Sequence, residues 1–115
     1  MRSVSVVGAN MIRFGKNPKT LEEMGQEVVV GLLKDLNVDR EKIDAVFGAN
    51  VFGGHLPTQR VLKEIGMTGI PVFNVENACA SGATAYHQAY QAIAHGIYDV
   101  ALVIGVEKLT ALGGG

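Results

Sequence analysis

The chain has 115 residues, of which 10 are Lys or Arg and 11 are Asp or Glu, so its formal net charge is −1 and we expect no nucleic-acid partner. Hydrophobic residues make up 48% of the chain and charged residues 18%, which supports a buried core and excludes intrinsic disorder. The longest apolar stretches, such as 100–106, are far shorter than the roughly 18 residues of a membrane span, so we expect a cytoplasmic chain with no membrane span.

Four predicted strands alternate with three predicted helices. The first strand covers 3–12, where apolar and β-branched residues without charges are typical of a strand buried on both faces. A helix is predicted over 21–36, because Thr20 and Glu23 form the capping-box pattern and apolar residues follow at helical spacing. The second strand covers 43–51 and ends in a glycine-rich loop.

The remaining elements continue this alternation. A short helix over 58–66 precedes a third strand over 71–75, a helix rich in small residues follows over 79–95, and a fourth strand covers 99–106. The order βαβαβαβ builds a mainly parallel sheet with helices on its faces, because crossovers between parallel strands are right-handed. The sequence therefore predicts an α/β fold in which the small-residue helix is buried between layers.

The spacing of the glycines excludes two nucleotide-binding motifs. Six residues separate Gly8 from Gly15, where a phosphate loop has four, and Asn17 replaces the hydroxyl residue of that motif. The dinucleotide fingerprint needs three closely spaced glycines after the first strand, and only Gly8 and Gly15 occur there. The sequence therefore predicts neither a phosphate loop nor a Rossmann cofactor site.

Cys79 is the only cysteine, which excludes an intramolecular disulfide and, with three histidines, a cysteine-rich zinc cluster, so no metal site is expected. It lies between a predicted strand and a predicted helix, where unpaired amides and the helix dipole stabilise a thiolate. The same amides can stabilise an oxyanion on a carbonyl that the sulfur attacks. Position alone leaves two interpretations open, a catalytic nucleophile and a small buried hydrophobic residue.

The three histidines offer no obvious base for this cysteine. His87 lies eight residues along the same predicted helix, about 12 Å from Cys79, and His95 lies twice as far. His55 lies in the glycine-rich loop and would reach the sulfur only through the tertiary fold, so a solvated loop histidine is the favoured interpretation.

The residues around Cys79 resemble a known family. The sequence Asn-Ala-Cys-Ala-Ser-Gly-Ala-Thr-Ala at 77–85 is similar to the acylated-cysteine motif of the thiolases, and 104–109 is similar to their next motif, Gly-Gly-x-Glu-x-Met. Val106 replaces a second glycine, and the residues before Cys79 look more like the lipid-transfer-type and archaeal thiolases. The resemblance implies that domain 1–115 is an incomplete N-terminal half, without the loop domain and the C-terminal half.

The resemblance also implies a function. A thiolase is an acyltransferase that acts on coenzyme A thioesters, by Claisen condensation or by thiolysis, through an S-acyl-cysteine intermediate. By similarity Cys79 is the nucleophile and its backbone amide an oxyanion donor, and no cofactor is expected because the coenzyme A thioester is the substrate. The expected partners are acyl-CoA, coenzyme A, and a second copy of the chain or a complementary C-terminal half that supplies the base. The chain alone is expected to be inactive.

Other interpretations remain open. Ketoacyl synthases and hydroxymethylglutaryl-CoA synthases share the thiolase fold and have a cysteine at the same helix start, although Ser81–Gly82 and Glu107–Lys108 favour a thiolase. A non-catalytic thiolase-like scaffold or truncated fragment, which binds a partner without turnover, is the other alternative. In thiolases the strand before the nucleophile lies at the dimer interface, so 71–76 is expected to pair across a two-fold axis.

Overall fold

The computed structural model describes residues 1–112, which form one parallel sheet and three α-helices. The elements in chain order are α1 (Leu21–Leu36), β1 (Ala45–Ala49), α2 (Pro57–Lys63), β2 (Val72–Val75), α3 (Ser81–Ala94) and β3 (Ala101–Gly105), with short 3-10 helices at Arg40–Lys42 and Leu109–Leu112. Both β2 and β3 pair with β1 in parallel, so the strand order is β2-β1-β3. The predicted α/β fold with a parallel sheet is confirmed.

The central strand β1 is buried along its whole length because helices cover both faces of the sheet. On one face, Val46 belongs to a cluster with apolar residues of α1 and α2, namely Leu21, Val29, Val61 and Leu62. On the other face, Ala45, Phe47 and Ala49 of β1 pack against three alanines of α3, namely Ala85, Ala89 and Ala92. Small side chains on both partners let α3 lie close to the strand.

The small-residue helix α3 is buried on one face only. Ala85 on its sheet face is 0% exposed, whereas Tyr86 and Tyr90 on the other face are 51% and 40% exposed. A Cβ atom added at Gly82 would meet no atom within 4 Å. The predicted burial therefore holds for the face of α3 that packs on the sheet, and residues 1–112 place no second layer over its other face.

The strand predicted over 3–12 does not form. This segment has no regular secondary structure and most of its residues are exposed. It is anchored by Arg2, whose guanidinium donates to the carbonyl oxygens of Ile93 at 2.7 Å and Tyr98 at 2.6 Å, near the end of α3. The apolar pattern of the segment is that of a buried strand, but no strand within residues 1–112 pairs with it. A strand without a hydrogen-bonded neighbour is not stable in water.

Helix α1 begins where the capping box predicts. The Thr20 hydroxyl oxygen accepts from the Glu23 amide at 3.1 Å, and the Glu23 carboxylate accepts from the Thr20 amide at 3.0 Å. Hydrogen bonds from the backbone and side chain of Thr20 hold the pKa of Glu23 below its ordinary value. The helix ends at Asn37, whose left-handed backbone conformation, with φ of 53°, lets its amide donate back to the last turn.

We expect Thr20→Ala to lower the free energy of unfolding by roughly 0.5–2 kcal/mol, because it removes the capping oxygen. Because the pKa of Glu23 is lowered in the folded chain, the stability contributed by its charge is present above the model-peptide value of 4.5 and is lost as the pH falls through the folded pKa. Glu23→Gln should therefore be less stable than wild type at pH 7, and this difference should be smaller near pH 3.

Denaturant unfolding of the three proteins at both pH values measures these differences. Ser3→Ala, a change at an exposed hydroxyl in the unstructured segment, is the control and should match wild type. A difference in the free energy of unfolding between Glu23→Gln and wild type that stays constant with pH would contradict this role of the Glu23 charge.

Candidate functional site

The carboxyl ends of the three parallel strands meet at one edge of the sheet, which is the edge where α/β proteins usually bind ligands. Three loops leave this edge, at 50–56 after β1, at 76–80 after β2 and at 106–108 after β3. Cys79 lies in the loop after β2, and its side chain is exposed. This exposure does not fit the interpretation of Cys79 as a small buried hydrophobic residue.

Cys79 precedes α3 rather than opening it. The helix begins at Ser81, with Ala80 as its N-cap residue, two positions later than predicted. The physical reason is Ala80, whose φ of −94° and ψ of 10° lie outside the helical range, and the turn before it contains Ala78, whose φ of +48° is left-handed. The amide of Ala80 donates to the carbonyl of Asn77 at 3.0 Å, and that of Ser81 donates to the carbonyl of Ala78 at 3.2 Å. The thiol therefore lies on a tight turn between β2 and α3.

Side-chain hydrogen bonds hold this turn. The Ser81 hydroxyl, on a residue only 5% exposed, accepts from the Asn77 amide at 2.7 Å and donates to the Ala78 carbonyl at 2.6 Å. The Asn77 side-chain amide donates to the Thr84 hydroxyl at 3.0 Å, and Thr84 donates to the Ala80 carbonyl at 3.0 Å. These bonds connect both sides of the left-handed residue to the first turn of α3.

Several amides beside the thiol remain open. Within residues 1–112, the amides of Cys79, Gly82 and Ala83 have no hydrogen-bond acceptor. The first amides of a helix lack partners in the helix itself and carry the positive end of its dipole. Donors of this kind stabilise a thiolate and the negative oxygen that forms when a thiolate attacks a carbonyl. The turn can therefore support nucleophilic chemistry at Cys79.

The structure separates the three histidines. His55 lies in the loop after β1, at the same edge of the sheet as Cys79, and its carbonyl accepts from Arg60 at 2.8 Å. His87 is exposed on α3, and His95 is the C-cap residue at the far end of that helix. No hydrogen bond within residues 1–112 joins a histidine to Cys79.

Two further observations concern metals and membranes. Among the residues that the structure describes, no cluster of three or more His, Cys, Asp or Glu side chains could hold a metal ion. None of the helices described combines the length and the apolar character that crossing a bilayer requires.

The sequence indicated Ser81 and Glu107 only as parts of motifs. In the structure, both side chains form hydrogen bonds with the backbone at the carboxyl edge of the sheet. The Glu107 carboxylate accepts from the Val51 amide at 2.9 Å and from the Phe52 amide at 3.2 Å, so it joins the loops after β3 and β1. A carboxylate placed directly after a predicted strand, at the edge where parallel strands end, is the signal that could have suggested such a contact.

We expect Ala78→Gly to raise the free energy of unfolding by about 1 kcal/mol, because glycine has no Cβ penalty in the left-handed conformation. The matched control is Ala83→Gly, an exposed position within α3, which should lower the free energy of unfolding by about 1 kcal/mol because glycine disfavours a helix. Denaturant unfolding of both variants measures the two changes. Destabilisation of similar size in both would show that Ala78 is not under strain.

Comparison with known proteins shows which family this chain is similar to. Residues 4–113 match the family described as thiolase, N-terminal domain. The chain is 35% identical over 111 residues to the benzoylsuccinyl-CoA thiolase subunit BbsB of Thauera aromatica, an alignment that covers 95% of this chain and 29% of that protein. It is 33% identical over 116 residues to an acetyl-CoA acetyltransferase of Methanothermobacter thermautotrophicus, with 96% and 30% covered.

Two further similarities extend this result. Sterol carrier protein 2 of Homo sapiens is 35% identical over 115 residues, covering 96% of this chain and 21% of that protein. The solved structure of 3-oxoacyl-[acyl-carrier-protein] synthase III from Aquifex aeolicus is similar with a TM-score of 0.73 and 24% identity, covering 83% of this chain and 32% of that chain, which shows a shared fold. The chain spans less than a third of the length of these relatives. The resemblance found in the sequence is confirmed, and the chain belongs to the thiolase family, whose N-terminal domain it matches.

Proposed function

We propose that this chain supplies the nucleophile-bearing part of an acyltransferase that acts on coenzyme A thioesters, with Cys79 as the residue that accepts the acyl group. The observation that carries the proposal is the exposed thiol on a constrained turn, beside amides that have no acceptor within residues 1–112. The names of two relatives, acetyl-CoA acetyltransferase and benzoylsuccinyl-CoA thiolase subunit, support the substrate class.

In the proposed reaction, the Cys79 thiolate attacks the thioester carbonyl and a carbon–sulfur bond forms. The carbonyl oxygen becomes negative and accepts hydrogen bonds from open amides, among them that of Cys79 itself. Collapse of this intermediate breaks the bond to coenzyme A, which leaves as a thiolate and takes up a proton. In condensation, the carbanion of a second acyl-CoA then attacks the acyl carbon on Cys79, a carbon–carbon bond forms, and the carbon–sulfur bond breaks to release the Cys79 thiolate. In thiolysis the same steps run in reverse.

The carbanion requires a base, and we propose that a complementary C-terminal half or a second chain provides it. Among the histidines, only His55 shares the edge of the sheet with Cys79, and no hydrogen bond within residues 1–112 links the two residues. A general base must lie within hydrogen-bond reach of the proton that it removes. The assignment on this chain is therefore limited to the nucleophile and its oxyanion donors.

We expect acetyl-CoA to transfer its acetyl group to Cys79 in the assembled protein, because the open amides can donate to the oxyanion that forms during attack. Peptide mass analysis after incubation with labelled acetyl-CoA locates the label, and Cys79→Ser should lose both the label and the transferase activity. The matched control combines Cys79→Ser with Ser3→Cys, which moves the thiol to another exposed position without the turn. Label at another residue, or full activity of Cys79→Ser, would remove the assignment.

We also propose that β2 pairs with its counterpart in a second copy of the chain. One side of β2 pairs with β1, and the other side has no strand partner within residues 1–112. The carbonyls of Pro71 and Val75 accept hydrogen bonds from the backbone of β1 and of the residue that follows it. Because successive residues of a strand direct their backbone groups to alternate sides, the backbone groups of Val72 and Asn74 point away from β1. A two-fold axis at this edge would pair the two β2 strands with each other through these groups.

We expect Val72→Pro to abolish this association, because proline removes an outward amide without removing a bond to β1. Val72→Ala is the matched control, since it loses similar packing and keeps the amide. Sedimentation equilibrium at high micromolar concentration should show dimers for wild type and Val72→Ala and monomers for Val72→Pro. A monomeric wild type would contradict the proposed interface.

A further inference from the structure

The loop after β1 is held by a carboxylate from another part of the chain. Glu107, which is partly buried, follows β3 and accepts three hydrogen bonds from the start of the loop. The donors are the Asn50 side-chain amide at 3.1 Å, the Val51 amide at 2.9 Å and the Phe52 amide at 3.2 Å. Hydrogen bonds to an ionised acceptor are roughly twice as strong as those between neutral groups.

Asn50 completes this contact. Its side-chain amide also donates to the Val106 carbonyl at 2.6 Å, and its side-chain oxygen accepts from the Gly53 amide at 2.6 Å. A Cβ atom at Gly53 would lie 2.5 Å from that oxygen, so the bond depends on glycine at this position. On the far side of the loop, Arg60 donates to the carbonyls of Gly53 and His55. The loop is thus hydrogen-bonded from β3 and from α2.

Both ends of the loop are also joined to β2, the strand that leads to the turn of Cys79. At the start of the loop, the Asn50 amide donates to the Val75 carbonyl at 3.3 Å. After its end, the Thr58 amide in α2 donates to the side-chain oxygen of Asn74 at 3.1 Å. The turn of Cys79 begins directly after Val75, so the start of the loop is hydrogen-bonded to the strand residue from which that turn leaves.

We propose that Glu107 is a positioning residue for the Cys79 site, which it serves by fixing the loop 50–56 as one wall beside the thiol. This inference rests on the proposed function of Cys79 as the acyl acceptor. Gly53 and Gly54 would give an unrestrained loop high conformational entropy. The Glu107 carboxylate restricts the loop because it accepts hydrogen bonds from two consecutive amides and from the Asn50 side chain. A wall held in one geometry orients an acyl group for attack without further rearrangement.

Glu107→Gln tests the proposal, because glutamine keeps the size of the side chain but replaces one acceptor oxygen with a donor. Hydrogen exchange at the Val51 and Phe52 amides should become about 10- to 100-fold faster, the effect of losing a hydrogen bond to a charged group. The amides within β1 should keep their protection. Glu41→Gln is the matched control, since Glu41 is exposed and lies before β1, at the opposite edge of the sheet, and it should exchange like wild type.

A second readout connects the loop to the site. A nitroxide attached to Cys79, the only thiol, reports by electron paramagnetic resonance how far its surroundings restrict it. The spectrum should show greater mobility in Glu107→Gln and no change in Glu41→Gln. Unchanged exchange at Val51 and Phe52, or faster exchange with an unchanged nitroxide spectrum, would overturn the proposal.

A double-mutant cycle keeps the test valid if Glu107→Gln perturbs the whole fold. Asn50→Asp places two carboxylates face to face and should release the loop, whereas the combination with Glu107→Gln restores a donor between the two side chains. Exchange at Val51 should therefore be slower in the double variant than in Asn50→Asp, and the absence of this rescue would contradict the contact. None of these measurements requires acyl transfer, so failure of acetyl labelling at Cys79 would refute the proposed function and leave this test unaffected.

Discussion

The burial of β1 between two helical layers determines where the other parts of the chain lie. All five residues of this strand are buried, and it forms hydrogen-bonded ladders with both other strands. At its centre, a Cβ atom on Gly48 would lie 1.7 Å from the hydroxyl oxygen of Thr58, so the first turn of α2 approaches the strand closely because glycine is present. On the other face, small side chains bring α3 equally close. Helices α2 and α3 are therefore positioned by the residues of a single strand, and α1 packs on α2.

This close packing places polar side chains at the carboxyl edge, where the sheet hydrogen bonds end. Asn50 and Glu107 follow strands and bond to the backbone of a neighbouring loop, and Asn74, one residue before the end of β2, accepts from the backbone of α2. Backbone groups near a core need partners, and beyond the sheet only side chains or water can supply them. The loops around Cys79 are consequently fixed by the strands on which they are built.

The elements predicted correctly are those whose signals are local. The bounds of α1 follow from the capping box at Thr20 and from the apolar spacing after it, and β1 lies within the apolar run that predicted it. The segment 3–12 was mispredicted because its pattern describes burial and does not specify a neighbouring strand. The start of α3 was misplaced by two residues because the turn over 77–80 is held by the side chains of Ser81 and Thr84, later in the chain. The position of Cys79 before a helix left two interpretations open and the resemblance to the thiolases favoured the nucleophile, but the contacts of Glu107 with the loop after β1 depend on tertiary geometry.

The turn at Cys79 shows how a strained residue persists in a stable fold. A left-handed alanine costs roughly 1–2 kcal/mol relative to the right-handed conformation. Each net hydrogen bond contributes about 0.5–1.5 kcal/mol, so the two bonds of the buried Ser81 hydroxyl are sufficient to offset that cost. The turn carries the exposed thiol directly before the helix, in which the amides of Gly82 and Ala83 have no acceptors in residues 1–112. The turn before α3 thus carries both an exposed thiol and open amides, the combination on which the proposed acyl transfer would depend.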